Sequence, residues 1–314
     1  MEAHTDDTHL IDTHYVRPEQ AGAWLLEHQG RAAFVECNTS LAVPHLLEAL
    51  EARGLAREAV DWVFVTHVHL DHAGGAGALL QKLPNAKLVV HPAGAKHMID
   101  PHALIAGATA VYGPDRMTEL YGEILPVDAQ RVTTPNDGER IELAGRPLVA
   151  LHTPGHAWHH MALHDPHSEG VYSGDVFGLA YRALHTPRGP FLFPTTAPTQ
   201  FAPGPMLASI ERIVALEPHW IFLTHFGAIP WDPRLAEDLR RFVHDWTGLA
   251  RAVVAEHPAG AQRQTAMEAG LRHTLSRHYR ELGGRVDNDV FEQWMQLDVE
   301  INAQGLVYWA QKQG

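Results

Sequence analysis

The chain has little cysteine: Cys37 is the only one among its 314 residues. A single cysteine excludes an internal disulfide and is typical of a reducing compartment. No apolar run approaches eighteen residues, so we expect no membrane span. The first nine residues are polar and acidic, without the basic and apolar segments of a secretory signal. We therefore expect a cytoplasmic protein.

Basic residues are also scarce, with 24 Lys and Arg against 37 Asp and Glu and a net charge of −13. An acidic chain binds phosphate backbones and anionic lipids poorly, because its own field repels them. The composition therefore predicts a small-molecule substrate, and neither nucleic acid nor a membrane as a partner. It leaves a homodimer open.

Histidine, in contrast, is abundant, with 24 residues. Residues 66–75 follow the apolar run 62–65, which is short, β-branched and aromatic and so typical of a buried strand. Ligands collect at the carboxyl ends of strands in α/β folds. Six positions there hold four residues of metal-ligand type, namely His67 and His69 on extended backbone and Asp71 and His72 on the turn that follows. This density predicts a metal site with two centres.

Strand and helix patterns alternate along the chain, which predicts an α/β fold with helices packed outside sheets. We expect one main domain over residues 1–232, with a mostly helical insertion at about 92–128. A loop at 176–205 holds six prolines, which is typical of ordered structure without regular hydrogen bonds. Residues 233–314 are expected to form a helical C-terminal region.

Three further strand patterns end in a residue of ligand type: His156 after Pro154-Gly155, Asp175 after Gly174, and His225 before Phe226-Gly227. Each alone is weak, since a Gly-Asp pair at a strand end is more often a simple turn. With the first window they supply five histidines and two aspartates. That inventory fits two divalent metal ions sharing one carboxylate. Zinc is the default, and iron and manganese suit the same nitrogen and oxygen ligands.

Four motifs in this order resemble the metallo-β-lactamase-fold hydrolase superfamily: His-x-His-x-Asp-His at 67–72, Pro-Gly-His at 154–156, Ser-Gly-Asp at 173–175 and Thr-His at 224–225. The resemblance covers about residues 10–230. It implies an αββα sandwich with the site at one edge, followed here by a helical C-terminal appendage. It also implies the ligand sets: His67, His69 and His156 for metal one, Asp71, His72 and His225 for metal two, and Asp175 as the bridge.

The segment Val35-Glu36-Cys37-Asn38 stands where the family usually has Asp-x-Gly. Glu36 keeps an acid at this position, and we expect it to brace a ligand histidine. Asn38 is the best choice other than glycine for a left-handed turn.

The fold hosts many chemistries, so the branch is argued from the site. Asp175 at the bridge and the lack of a cysteine ligand disfavour a true β-lactamase, the acidic charge disfavours a nuclease, and His69 disfavours the flavodiiron branch. The resemblance implies a glyoxalase II-like or lactonase-like hydrolase of an ester, thioester or lactone. A hydroxide bridging two metals would attack the carbonyl, oriented by Asp71 and Asp175. The alternative is a mononuclear-iron oxidoreductase of the persulfide dioxygenase kind.

Substrate contacts are predicted from the proline-rich loop, which begins one residue after Asp175. Tyr181 is a candidate to hydrogen-bond the reacting carbonyl; alternatively, Tyr181 packs in the loop and Arg182 is solvated. The other candidates are aromatic residues near the metals or along the loop and histidines that closely follow His156. These are Phe177, Phe191 and Phe193 for the substrate, together with Arg182 beside Tyr181, and His159 and His160 as supports of the ligands.

Overall fold

The computed structural model describes residues 1–196 and 198–313, with the backbone alone of residues 111 and 112. Position 197 of the predicted proline-rich loop lies outside the described residues. The chain divides into two compact units, each made of several segments. Unit 1 comprises Met1–His152, His159–Gly174 and Pro218–Pro230, and unit 2 comprises Thr153–Trp158, Asp175–Glu217 and Trp231–Gly314.

Unit 1 contains a seven-stranded sheet whose spatial order follows the chain. Its first four strands pair antiparallel, and the last four pair parallel. The strands are β1 Glu2–Thr5, β2 Thr8–Asp12, β3 Gly22–His28, β4 Arg31–Val35, β5 Val60–Phe64, β6 Lys87–Val89 and β7 Val132–Thr133.

A second, six-stranded sheet of unit 1 has the order β13-β12-β11-β10-β9-β8. Its strands are antiparallel except for the parallel pair β11 and β12. They are β8 Arg140–Leu143, β9 Arg146–His152, β10 Met161–Asp165, β11 Gly170–Tyr172, β12 Trp220–Leu223 and β13 Gly227–Pro230.

Strand β3 shows why the seven-stranded sheet is buried on both faces. Successive side chains point to opposite sides of a strand. Trp24 and Leu26 therefore join Phe222 of the second sheet in one apolar cluster. Ala23 and Leu25 face the other way and pack with residues of α1 and α3, among them Leu46 and Leu79. Unit 1 is thus layered as helices, sheet and sheet.

The helices of unit 1 connect the strands of the first sheet. The predicted insertion at about 92–128 begins with three helices and continues without regular structure from Gly122 to Asp128. The helices are α1 Val43–Ala52, α2 Leu70–Ala73, α3 Ala76–Lys82, α4 Pro92–Ile99, α5 His102–Tyr112 and α6 Pro114–Tyr121, with short 3-10 helices at Ser40–Ala42, Arg57–Ala59 and Ala129–Arg131.

Unit 2 is built from helices and the proline-rich loop, which contains a 3-10 turn at Arg182–Leu184. The helices are α7 Pro203–Val214, α8 Pro233–Glu256, α9 Ala261–Glu281 and α10 Asn288–Gln311. Helices α8, α9 and α10 pack on one another. None of the helices in the described part of the chain combines the length and apolar character that a membrane span requires. The predicted domain boundary after residue 232 stays a prediction.

One edge of unit 1 gathers the ends of several strands. Strands β4 and β5 are parallel, so the residues that follow them, Glu36 and Thr66, emerge at the same edge. Thr224 follows β12 of the second sheet, and its carbonyl accepts a hydrogen bond from the Gly22 amide at 2.8 Å. This bond joins the two sheets at the edge where the ligand-type residues lie.

Candidate metal centre

Asp71, His72 and His225 come together at this edge, although 153 residues separate the two histidines in the chain. His72 Nε2 lies 3.4 Å from His225 Nε2. Asp71 Oδ2 lies 3.8 Å from the first nitrogen and 3.5 Å from the second. Both histidines are buried, and the Asp71 side chain is partly exposed. Three ligand-type atoms therefore converge on one point that solvent can reach.

Each histidine of this trio is held through its other ring nitrogen. His72 Nδ1 lies 3.0 Å from Glu36 Oε1, and His225 Nδ1 lies 2.8 Å from the backbone oxygen of Gln20. A carboxylate or carbonyl oxygen only accepts hydrogen bonds, so Nδ1 carries the proton in both rings. The lone pair is then on Nε2, the atom that faces the cluster. This tautomer is the one that metal ligation needs.

The spacing of these atoms fits a metal ion. Two ligands that each lie about 2.0–2.1 Å from a tetrahedral zinc ion are about 3.4 Å apart. The three observed separations of 3.4, 3.5 and 3.8 Å are close to that value. The set contains nitrogen and oxygen donors and no sulfur, which suits zinc, iron(II) and manganese.

His67 and His69 form a second group at the same edge. They lie between β5 and α2, and His67 Nε2 is 2.8 Å from His69 Nδ1. His67 Nδ1 lies 3.1 Å from Thr66 Oγ1, which donates its own proton to Glu36 Oε1 at 2.5 Å. The Thr66 hydroxyl therefore accepts from His67, so the lone pair of the His67 ring that could bind a metal is on Nε2.

Glu36 is the hydrogen-bonding hub beneath both groups. Its carboxylate is 1% exposed and accepts from the Thr66 amide at 3.3 Å and the Thr224 hydroxyl at 3.3 Å, in addition to the Thr66 hydroxyl and His72. Thr224 directly precedes His225. One buried carboxylate thus contacts His72 directly and reaches His67 and His225 through their neighbours.

The turn after β4 that carries Glu36 has left-handed backbone. Asn38 has φ = 53°, as predicted, and Glu36 has φ = 68°. The Asn38 side chain donates to the backbone oxygen of Asp71 at 2.7 Å. The strained turn is therefore tied to the ligand segment itself.

His159 and His160 lie beside the first ligand group. His159 Nδ1 is 3.4 Å from the Val68 amide, and its ring stacks over His67 with 6.3 Å between centroids. The ring of His160 lies 5.1 Å from that of His67, and His160 is fully buried. A side chain on Gly174, which has φ = 50°, would come within 2.7 Å of His160 Nε2. Their predicted role as supports of the ligands stays a prediction.

His156 and Asp175 belong to unit 2, where His156 Nε2 lies 3.4 Å from Asp175 Oδ2. His156 Nδ1 lies 3.2 Å from the backbone oxygen of Thr195, so the lone pair of this ring that could bind a metal is also on Nε2. Gly155, with φ = 139°, precedes it, and a Cβ there would meet the Met206 backbone at 2.3 Å. Only glycine permits this turn.

The aromatic residues predicted to contact substrate are fully buried in unit 2. Phe191 packs against Tyr279 and Phe291 of the C-terminal helices. The others are Phe177, Tyr181 and Phe193, each 0% exposed. Arg182 is partly exposed and begins a 3-10 turn. The predicted substrate contacts stay predictions.

The Tyr181 hydroxyl donates to Asp298 Oδ2 at 3.0 Å. We expect Tyr181→Phe to lower the free energy of unfolding by about 1–2 kcal/mol, because it leaves a buried carboxylate with one donor fewer. Chemical denaturation and steady-state kinetics on the same samples test this. Reduced turnover with unchanged stability would instead support the predicted bond to a reacting carbonyl.

Cys37 is buried beneath the ligand segment, and its thiol lies 3.3 Å from the His72 backbone oxygen. Burial raises the pKa of this thiol well above its usual range, and the negative charge of Glu36 raises it further. A protonated, buried thiol is a poor nucleophile. We expect Cys37→Ala to keep metal content and turnover within about twofold, with a stability loss of about 1 kcal/mol. Abolished turnover at normal metal content would contradict this.

Sequence reasoning missed the groups that hold the ligand rings. These are the backbone oxygens of Gln20 and Thr195 and the hydroxyls of Thr66 and Thr224. The repeated Thr-His at 66–67 and 224–225 was the one available signal for the two threonines. Backbone carbonyls carry no signal, because every residue has one.

Residues 16–225 match the family model of the metallo-beta-lactamase superfamily. Protein ST1585 of Sulfurisphaera tokodaii, described as metallo-beta-lactamase fold-containing, is 25% identical over 213 residues, or 65% of this chain and 75% of that protein. Its crystal structure superposes with a TM-score of 0.66 and 21% identity, covering 96% and 98% of the two chains. This likeness shows the fold.

Several relatives are named for an activity. A hydroxyacylglutathione hydrolase of Stenotrophomonas maltophilia is 28% identical over 80% of this chain and 73% of its own length. The acyl-coenzyme A thioesterase MBLAC2 of Bos taurus is 26% identical over 52% of this chain and 60% of its own length. The chain spans 41% to 62% of three other hydroxyacylglutathione hydrolases.

These matches confirm the predicted family and the predicted αββα fold with C-terminal helices. Proteins of this fold typically bind metal ions, and the relatives named for an activity are hydrolases. The chain belongs to the metallo-beta-lactamase superfamily.

Proposed function

We propose that this protein is a dinuclear metal-dependent hydrolase that cleaves an ester, thioester or lactone. The observation that carries the proposal is the trio of Asp71, His72 and His225 in unit 1. Both histidines have Nδ1 anchored, and their Nε2 atoms and the carboxylate are spaced as ligands of one ion. Buried histidine rings whose orientation is fixed by hydrogen bonds in this way are typical of metal sites.

Two of the proposed ligands, His156 and Asp175, follow strand ends closely along the chain. His156 is four residues from His152, the last residue of β9, and three residues from His159, where unit 1 resumes. Asp175 directly follows Gly174 of unit 1. Consecutive Cα atoms are about 3.8 Å apart, so both residues are tethered close to strand ends. We propose His67, His69 and His156 for one ion, Asp71, His72 and His225 for the other, and Asp175 as the bridge.

We propose zinc in both positions, with iron or manganese as the alternatives that the same donors accept. When bound, such cations lower the pKa of water to roughly 7 and polarise a carbonyl, which supplies a nucleophile at neutral pH. The carboxylates of Asp71 and Asp175 would orient the attacking water by accepting its hydrogen bonds. Either carboxylate can take up the proton of that water and return it to the leaving group.

The thioester is the first bond to test, because relatives are named hydroxyacylglutathione hydrolase and acyl-coenzyme A thioesterase. A net charge of −13 supports a small-molecule substrate over nucleic acid. The leaving thiol or alcohol and the acyl group are not specified by the ligand set, since metal chemistry acts on the carbonyl that all three bond classes share.

A panel of esters, thioesters and lactones, assayed alongside elemental analysis of the purified chain, tests the proposal. We expect two metal ions per chain and turnover that a chelator abolishes and added zinc, iron or manganese restores. One iron per chain with oxygen consumption on a persulfide would support the dioxygenase alternative instead. Turnover that survives complete metal removal would contradict both.

A further inference from the structure

Two polar side chains of α10 contact the proline-rich loop. Asp298 Oδ2 accepts from the Tyr181 hydroxyl at 3.0 Å. Asn302 Oδ1 accepts from the Thr196 amide at 2.5 Å and lies 2.9 Å from the Thr196 hydroxyl. The two α10 residues are four apart and therefore lie on one face of the helix. That face of α10 holds the loop at two points fifteen residues apart.

The contact at Thr196 reaches a proposed metal ligand through a single peptide group. The Thr196 N–H and the Thr195 C=O belong to the same planar unit, and in a trans peptide they point in opposite directions. Asn302 Oδ1 holds the N–H at one side. At the other side the carbonyl oxygen lies 3.2 Å from His156 Nδ1. Fixing the N–H therefore fixes the direction of the carbonyl that orients the His156 ring.

Burial makes this arrangement hard to replace by solvent. Asn302 and Thr196 are each 1% exposed, Thr195 is 8% exposed and His156 is 2% exposed. A buried N–H that loses its acceptor has no water available, so the peptide must rotate to find another partner. The Thr195 carbonyl would rotate with it and leave His156 Nδ1.

Position 302 is otherwise a site for an apolar side chain. Val299, Ala303 and Leu306 around it on α10 are all 0% exposed. Asparagine is a weaker helix former than the aliphatic residues common at such positions, and its buried amide needs partners. The asparagine at this position is explained by its hydrogen bond to the Thr196 amide, because the same peptide group contacts His156.

We propose that Asn302 is a positioning residue for the metal ligand His156, acting through the Thr195–Thr196 peptide. The inference rests on the proposed function, which makes His156 a ligand. Asn302 contacts neither metal nor substrate in this role. It keeps the His156 Nδ1 proton hydrogen-bonded, so that the lone pair that could bind a metal stays on Nε2.

The test uses the full chain with Asn302→Leu, which removes the acceptor at similar size, and Asn302→Asp, which keeps an acceptor oxygen. Val299→Ala is the matched control, because it disturbs the same buried helix face without removing a hydrogen bond to Thr196. Zinc affinity is measured by competition with a chromophoric chelator. We expect Asn302→Leu to lower the zinc affinity of one of the two sites by about 10–100-fold, the range for lost support of a ligand. Asn302→Asp and Val299→Ala should stay within about threefold.

A second readout needs no metal. In metal-free protein with nitrogen-labelled histidine, the His156 signal, assigned with His156→Gln, should show a slowly exchanging Nδ1 proton. We expect Asn302→Leu to lose that proton signal, and Asn302→Asp and Val299→Ala to keep it. Should Asn302→Leu fail to fold, Asn302→Ala removes the same acceptor without adding bulk and carries the same expected results.

An intact His156 Nδ1 signal together with unchanged zinc affinity in Asn302→Leu would overturn the inference. So would equal losses in Asn302→Leu and Val299→Ala, because the effect would then be one of packing alone. If the wild-type chain binds neither zinc nor iron nor manganese, the proposed function fails by itself. The proton signal still decides whether Asn302 orients His156.

Discussion

His72→Ala is expected to remove one metal ion per chain and to lower turnover by more than about 100-fold. Losing a group that merely supports a ligand already costs roughly 10–100-fold, and His72 is proposed as a ligand itself. Its Nε2 lies 3.4 Å from His225 Nε2 and 3.8 Å from Asp71 Oδ2, so its loss leaves two of the three donor atoms of this set. Elemental analysis and steady-state kinetics on the best substrate of the panel measure both effects.

A buried histidine outside the site provides the matched control. His9 is 1% exposed and pairs with Glu27 at 3.0 Å. His9→Ala should lose stability through the same loss of a buried ring, yet keep its metal content and turnover. His69→Ala and Asp175→Asn are expected to behave like His72→Ala. Full activity in a metal-depleted Asp175→Asn or His72→Ala protein would refute the dinuclear assignment.

Glu36→Ala is expected to lower the free energy of unfolding by about 1–3 kcal/mol, the cost of leaving buried hydrogen-bond donors without their acceptor. The change leaves the Thr66 amide, two threonine hydroxyls and His72 Nδ1 without their shared acceptor. Because this carboxylate supports ligands of both groups, metal affinity should fall by at least about 10-fold. Denaturant titration of metal-free protein separates the stability effect from the metal effect.

Two further carboxylate variants sharpen this experiment. Glu36→Gln keeps one acceptor oxygen, so we expect it to lie between wild type and Glu36→Ala in both measurements. Glu27→Ala is the control, since Glu27 is a largely buried carboxylate that pairs with His9 and Arg53. It should lower stability and leave metal affinity unchanged. Unchanged metal affinity in Glu36→Ala would remove Glu36 from any role at the ligands.

Secondary structure followed the local patterns closely where an element had a strong apolar period. Ser40 as a cap and Gly54 as a stop predict a helix that runs to Arg53. It appears as a 3-10 turn at Ser40–Ala42 and α1, which ends at Ala52. The strand predicted at residues 62–65 is β5, which spans Val60–Phe64. The residue pattern also predicts a helix from about Met206 to Leu216, which appears as α7. It begins at Pro203, which suits a first turn because the amide that proline lacks would have no partner within the helix.

Other elements were not predicted, because pairing with a neighbouring strand stabilises them rather than their own residue pattern. Strand β13 begins at Gly227 and ends at Pro230, two residues that weaken a strand pattern. It forms because β12 offers a free edge beside it. Strand β1, at polar residues 2–5, is likewise held by pairing with β2. A sequence pattern reports burial and propensity, whereas a neighbouring strand supplies hydrogen bonds to any backbone.

The sequence by itself determined the ligand types, their positions at strand ends and the family, because these depend on residue identity and on short spacings. Only the tertiary structure decided which group holds each ring. Gln20 is 205 residues from His225, and Asn302 is 106 residues from Thr196. These partners act through a backbone carbonyl or through one peptide plane. Such groups occur at every residue, so the path of the folded chain alone selects the ones that orient the ligands.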